Sequence, residues 1–181
     1  MHVEEISIQG CFLIDPQVFK DERGHFYEAF NQREFEEKTG LQINFVQDNH
    51  SVSYKGVLRG LHYQASPHGQ SKLIRVAQGS VLDVLVDIRP GSPTFGKHYK
   101  KKLSGNTGEM IFIPKGIAHG FLALEENTHF LYKCDSYYNP GAERGIRFDD
   151  PYLDIDWEFD HDQLILSGKD KLLPLFKDLH L

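Results

Sequence analysis

Cysteine is scarce in this chain. Only Cys11 and Cys134 occur, far apart and without Cys-x-x-Cys spacing, which argues against a disulfide framework or a zinc site and predicts buried free thiols. Positive charge is scarce too. The formal net charge is −6 over 181 residues, so no broad cationic surface invites nucleic acid, and an anionic ligand must be met by a local cluster of Arg and Lys. Such a cluster implies a small anionic substrate. No apolar run approaches the roughly 18 residues of a membrane helix, and the opening Met1-His2-Val3-Glu4-Glu5-Ile6 lacks the basic start and apolar core of a signal peptide. The expectation is a cytoplasmic protein that binds neither membrane nor nucleic acid. Internal repeats, low-complexity stretches and interdomain linkers are also missing. What is present is 40% hydrophobic, 25% charged and 12% aromatic, the profile of one globular domain over residues 1–181.

Short alternating runs separated by Gly, Pro, Asn and Ser fill the middle of the chain and predict a mainly β fold, an antiparallel sandwich or barrel. In residues 80–88, Leu82, Val84, Val86 and Ile88 share one face while Asp83 and Asp87 share the other. Lys72 shares a face with Ile74 and Val76, and Tyr132 with Phe130 and Cys134, which makes Lys72 and Tyr132 candidates for the interior. Arg59 and His62 have opposite parity, so a regular strand cannot aim both inward, and Gly60 predicts a bulge or kink between them. One helix is expected from Asn31, an N-cap with Glu34 in capping-box spacing, to Gly40 as a left-handed C-cap, packed outside the barrel. Beyond Pro140, short helical turns are expected to close one side, with Trp157 and the apolar tail of Leu172, Leu173, Leu175 and Phe176. Lys100-Lys101-Lys102 reads as a solvated strand edge.

The polar residues within these strands carry the chemical argument. A ketone acidifies its neighbouring hydrogens, and a protein exploiting this needs a base near neutral pKa and a cation beside the enolate oxygen. His62 and Lys72 supply that pair. Asp170 is a partner to orient the imidazole, although an Asp after Lys169 in a loop is ordinarily solvated. Tyr132 is a proton donor in the same set, although a mid-strand tyrosine is usually core packing. Pro114-x-Gly-x-x-His119 has the form of the second cupin motif, whose histidine is commonly a metal ligand. The first motif fails, because His62-Tyr63-Gln64 replaces His-x-His and leaves too few ligands for the usual sites. A barrel without metal is therefore expected, with His119 as a polar pocket group. Arg23, Glu28, Gln47, Asn49, Arg59 and Lys169 offer donors and acceptors for a diphosphate and a base edge, and Tyr138 offers a flat face for a pyrimidine.

In order along the chain, the motifs Asp21-Glu22-Arg23-Gly24-His25-Phe26 with Glu28, Gln47 through Ser51, Val57 through Gln64, Gln70-Ser71-Lys72-Leu73 and Pro114 through Phe121 resemble the dTDP-4-dehydrorhamnose 3,5-epimerase family of the cupin superfamily. Tyr132-Lys133-Cys134, Tyr138, Glu143 through Ile146, Asp150-Pro151, Trp157 and Ser167 through Asp170 continue the match nearly to the end. The resemblance implies a cupin, a jelly-roll antiparallel β-barrel with a few short peripheral helices. It implies His62 as base with Asp170, Tyr132 as acid, and Lys72 at the enolate, without cofactor or metal. Arg59, His119, Gln47, Asn49, Glu143 and Lys169 would line the substrate site, and Tyr138 would stack on thymine. Phe26 would be a further substrate-binding residue, and Arg23 and Glu28 would reach the nucleotide from the partner in a homodimer that exchanges N-terminal strands. The implied reaction inverts C3 and C5 of dTDP-4-dehydro-6-deoxy-D-glucose to give dTDP-4-dehydro-L-rhamnose. Phe148 departs from the tryptophan more usual there, and Trp157 lacks the usual following proline. These departures leave open a single-centre epimerase of another dTDP-4-keto-deoxysugar. Different in class are a metal-dependent cupin oxygenase or isomerase and a non-catalytic nucleotide-sugar binder.

Overall fold

The alternating runs become thirteen strands in the computed structural model, which describes residues 1–180. In order these are β1 His2–Glu5, β2 Phe12–Asp15, β3 Phe19–Asp21, β4 Gly24–Phe26, β5 Gln47–Ser53, β6 Leu58–Gln64 and β7 Lys72–Gln78. There follow β8 Ser80–Asp87, β9 His98–Ser104, β10 Met110–Ile113, β11 Ile117–Ala123, β12 Thr128–Cys134 and β13 Glu143–Gly145. One six-stranded sheet has the order β1-β2-β10-β7-β12-β5, and a five-stranded sheet has β13-β6-β11-β8-β9. Every ladder between them is antiparallel, and β3 with β4 forms a separate hairpin. This is the jelly-roll arrangement expected.

Three apolar layers hold the sheets. Ile74, Val76, Ile111, Ile113 and Phe130 of the first sheet meet Val81, Leu85, Leu103, Ile117 and Phe121 of the second in the interior. Outside the first sheet lies helix α1, Gln32–Thr39, whose buried Phe35 packs with Ile14, Leu73, Met110 and Phe112. Its ends follow the sequence signals: the Asn31 side chain accepts from the Glu34 amide, and Gly40 has φ 72°. The Glu34 carboxylate does not complete a capping box, however; it accepts from the Met1 ammonium at 2.9 Å. Outside the second sheet lies the chain after β13, where Ile146, Leu153, Ile155 and Trp157 cover Leu58, Leu82, Val84, Val86 and Leu122. The Trp157 indole donates to the Phe148 carbonyl at 2.9 Å. As expected of this region, its helical pieces are short 3-10 turns, including Asp170–Leu172.

One expectation is refined by these layers. The stripe of Leu82, Val84 and Val86 faces outward against the C-terminal segment, and the opposite face of β8, carrying Asp83, is buried as well. The three lysines do lie on β9, a sheet edge, where Lys100, Lys101 and Lys102 pair with Asp156, Glu109 and Glu158.

The bulge expected in β6 is present. His62 stands opposite His119 while Arg59 stands opposite Phe121, so three steps on β6 match two on β11. Gly60 sits at the break with φ 122°, and a Cβ there would lie 2.5 Å from the Cα of Gly120 and 2.8 Å from the His119 carbonyl oxygen. Backbone meets backbone, so neither can yield. Gly60→Ala is therefore expected to lower the unfolding free energy by about 3 kcal/mol, read from the urea midpoint; an unchanged midpoint would show that the strands separate freely.

Candidate active site

The bulge turns Arg59 and His62 toward one end of the barrel, where two recesses of about 340 and 300 Å³ share His62, Lys72 and Tyr132. Alternation on β7 and β12 accounts for the latter two. Lys72 and Tyr132 share their faces with the fully buried Ile74 and Phe130 and sit where the apolar stripe gives way to the opening. The Lys72 ammonium lies 5.9 Å from the centre of the Tyr132 ring. His62 comes from the five-stranded sheet and Tyr132 from the six-stranded one, so they stand on opposite walls.

His62 Nε2 lies 2.6 Å from Asp170 Oδ1. The carboxylate arrives from the 3-10 turn outside the barrel and is itself buried. Burial alone would raise its pKa; the bonds from His62, Ser167 and the Gly60 amide outweigh that and hold it below the usual range. A carboxylate accepts only, so the imidazole hydrogen belongs on Nε2 and Nδ1 is the nitrogen free for chemistry, an assignment made from the hydrogen-bond network. Burial raises the Tyr132 phenol, which keeps it a proton donor at neutral pH. Burial lowers the Lys72 ammonium, against the pull of the thiol of Cys134 and the carboxyls of Asp83 and Glu143.

The first recess is walled by amides and phenols. Gln47 donates to Asn49 Oδ1 at 3.0 Å and accepts from the Tyr138 amide at 2.9 Å, while the Tyr138 hydroxyl donates to Glu143 at 2.6 Å. Glu143 also pairs with Lys169; burial would raise its pKa, but Lys169 and Tyr138 hold it low. The second recess holds Arg59, Ser51, His119, Ser167 and Lys169 around the Asp170 pair, with Phe121 and Phe130 as apolar floor. Arg59 is braced by Ser53 at 3.1 Å.

Most sequence-predicted residues thus converge, but Arg23, Phe26 and Glu28 do not. Arg23 and Phe26 lie on the exposed β3–β4 hairpin, where Arg23 pairs with Asp21 at 2.5 Å, and Glu28 faces Asn31. His119 is not part of a metal cluster: among the described residues no three His, Cys, Asp or Glu converge as ligands, and its Nε2 lies 2.8 Å from Asp83 Oδ2. Asp83 and Ser51 received no role from sequence. Their signal was weak, since a carboxylate in a strand reads as solvent-facing unless both sheet faces are known to be covered.

Comparison with known proteins fits this geometry. Residues 5–178 match the family model described as dTDP-4-dehydrorhamnose 3,5-epimerase. The chain belongs to that family. A Shigella flexneri dTDP-4-dehydrorhamnose 3,5-epimerase is 48% identical over 94% of this chain and 93% of its own. The crystal structure of the Elizabethkingia anophelis dTDP-4-dehydrorhamnose 3,5-epimerase superposes with TM-score 0.94 at 48% identity, covering 98% of this chain and 97% of that one. A Legionella pneumophila dTDP-6-deoxy-D-glucose-3,5-epimerase, crystallised in complex with dTDP-4-keto-L-rhamnose, gives TM-score 0.94 at 46% identity over 99% and 94%.

The two thiols of this epimerase are free and buried, as expected. Burial pushes Cys11 up to about 12 and, despite Lys72 nearby, Cys134 up to about 11. Thiolate is the reactive form. Iodoacetamide at pH 8 should leave both unmodified in native protein while labelling both in urea, followed by intact mass; rapid native labelling of Cys134 would contradict the sealed wall beside Lys72.

Proposed function

We propose that the epimerase inverts both carbons flanking the C4 ketone of dTDP-4-dehydro-6-deoxy-D-glucose by one repeated step. His62 Nδ1 removes the hydrogen from the carbon, and the bonding electrons move onto the C4 oxygen as an enolate. The Lys72 ammonium faces that oxygen, and the Tyr132 hydroxyl returns a proton to the other face of the now planar carbon. The observation that carries this reading is the placement of the Asp170-bound imidazole and the phenol on opposite sheets across one shared cavity. Removal and return on the same face would restore the starting configuration. Asp170 holds the tautomer and stabilises the imidazolium formed in each step. Arg59 and Lys169 supply donors for the diphosphate, His119 faces the sugar, and Gln47, Asn49, Glu143 and Tyr138 line the nucleotide end.

Arg23, Phe26 and Glu28 complete the site from a second copy in this reading. Its support is the hairpin, which has both edges unpaired and carries Phe19 and Phe26 at 55% and 66% exposure, together with β5, the open edge of the six-stranded sheet. Gln47 and Asn49 lie on that edge strand, so a hairpin added there reaches the nucleotide end of the recess. In this arrangement β1 stays paired with β2 and β2 with its own β10, and the hairpin is the element exchanged. A cytoplasmic setting fits the two unpaired thiols.

NMR of dTDP-4-dehydro-6-deoxyglucose with the protein in D2O should show deuterium entering C3 and C5 with inversion at both. His62→Ala should abolish exchange in a folded protein, a loss of roughly 10²-fold or more. Tyr132→Phe should still exchange protons faster than it inverts. Exchange at one carbon would make the protein a single-centre epimerase, and normal turnover by His62→Ala would sink the mechanism. The shared site has its own check: coexpressed Arg23→Ala and His62→Ala chains should recover activity that neither variant has alone, because one site of the mixed dimer keeps both side chains. No recovery in a verified mixed dimer would place Arg23 outside the neighbouring site.

A further inference from the structure

Asp83 takes no part in the steps above, yet its side chain stands inside the barrel. Its neighbours of like parity on β8, Val81 and Leu85, are fully buried in the interior core, and Asp83 itself is 1% exposed. Oδ2 lies 2.8 Å from His119 Nε2, while Oδ1 is sealed from solvent without a hydrogen-bond partner. Burial holds the carboxyl above the usual range, with His119 and Lys72 pulling against it. Tyr99 is a further titratable group within its field. A half-satisfied buried carboxylate destabilises a fold relative to an apolar residue of similar shape. Packing therefore gives no reason for it.

The imidazole gives one. His119 and His62 are direct partners across β11 and β6, and each turns Nε2 to a carboxylate. The His119 ring lines the second recess, and its Nδ1 has no protein partner among the described residues. Because a carboxylate only accepts, Nε2 carries the hydrogen and Nδ1 of the neutral ring presents a lone pair. Lys72 and Arg59 in the same recess only donate. A hydroxylated sugar beside them needs an acceptor, and Nδ1 is in place to be one.

We propose that Asp83 is a positioning residue: through its contact with Nε2 it holds His119 in the Nε2–H tautomer, so that Nδ1 accepts a hydrogen bond from a sugar hydroxyl. This rests on the epimerase reading of the recess. The first test needs no variant at the carboxylate. In protein labelled with 15N-histidine, the resonance pair missing from His119→Gln should show a protonated Nε2 and a bare Nδ1 in the free wild-type enzyme. A ring protonated at Nδ1 alone would overturn the proposal. Asp83→Asn can present its amide N–H to Nε2, and should shift His119 toward the Nδ1–H form. It should also raise KM about tenfold with kcat within about twofold, the pattern of a contact made equally in ground and transition states. In the His119→Gln background the same change should move KM by less than about twofold, since the path through the imidazole is gone. A wild-type KM in Asp83→Asn, or an equal rise in both backgrounds, would refute it. Were the wild-type protein to turn over no sugar nucleotide, the epimerase reading would fail, while the tautomer would still be read from the spectrum.

Discussion

A β-strand shows residues three apart to opposite faces, and the site depends on one place where that rule is broken. Gly60 adds a residue to β6 relative to β11, which brings Arg59 and His62 to the same cavity. The close approach leaves no room for a side chain on either partner: a Cβ on Gly120 would meet the Arg59 carbonyl oxygen at 2.8 Å. The positions of the His62 imidazole and the Arg59 guanidinium are thus set by backbone geometry, which is stiffer than any side-chain contact. The rest of the cavity is ordinary alternation, with Lys72 and Tyr132 at the open ends of stripes that are otherwise core.

The Asp170–His62 pair, Lys72, Tyr132 and the Asp83–His119 pair then lie in or against one small cavity. Burial favours the neutral form of the two carboxyls, Lys72 and Tyr132, and the neighbouring partners of the carboxyls pull the other way. The Asp170 carboxyl is held low by its partners, whereas Tyr132, without an ion pair, stays protonated.

Much of this was legible from residue order. Parity alone placed a break at Gly60 and put Lys72 on the face of Ile74 and Tyr132 on the face of Phe130, and local capping chemistry marked Asn31 and Gly40 as the ends of the helix. Parity says which residues share a face, though, and never which face is inside. Asp83 was missed for that reason, because β8 is covered on both sides and its longer apolar stripe belongs to the outer layer. The His62–Asp170 pair spans 108 positions, beyond any local pattern, and came from family resemblance together with the residue types. Arg23, Phe26 and Glu28 lie apart from the cavity of their own chain.

The His62–Asp170 pair is divided between an early strand and a late turn. Every strand of the two facing sheets is complete by Gly145, but Lys169 and Asp170 come only afterwards, laid over the outside of the second sheet. A chain stopped at Gly145 would therefore lack the carboxylate at His62 Nε2 and also the apolar cover over Leu58, Leu82, Val84, Val86 and Leu122, so the segment that sets the imidazole is the same one that seals the second sheet.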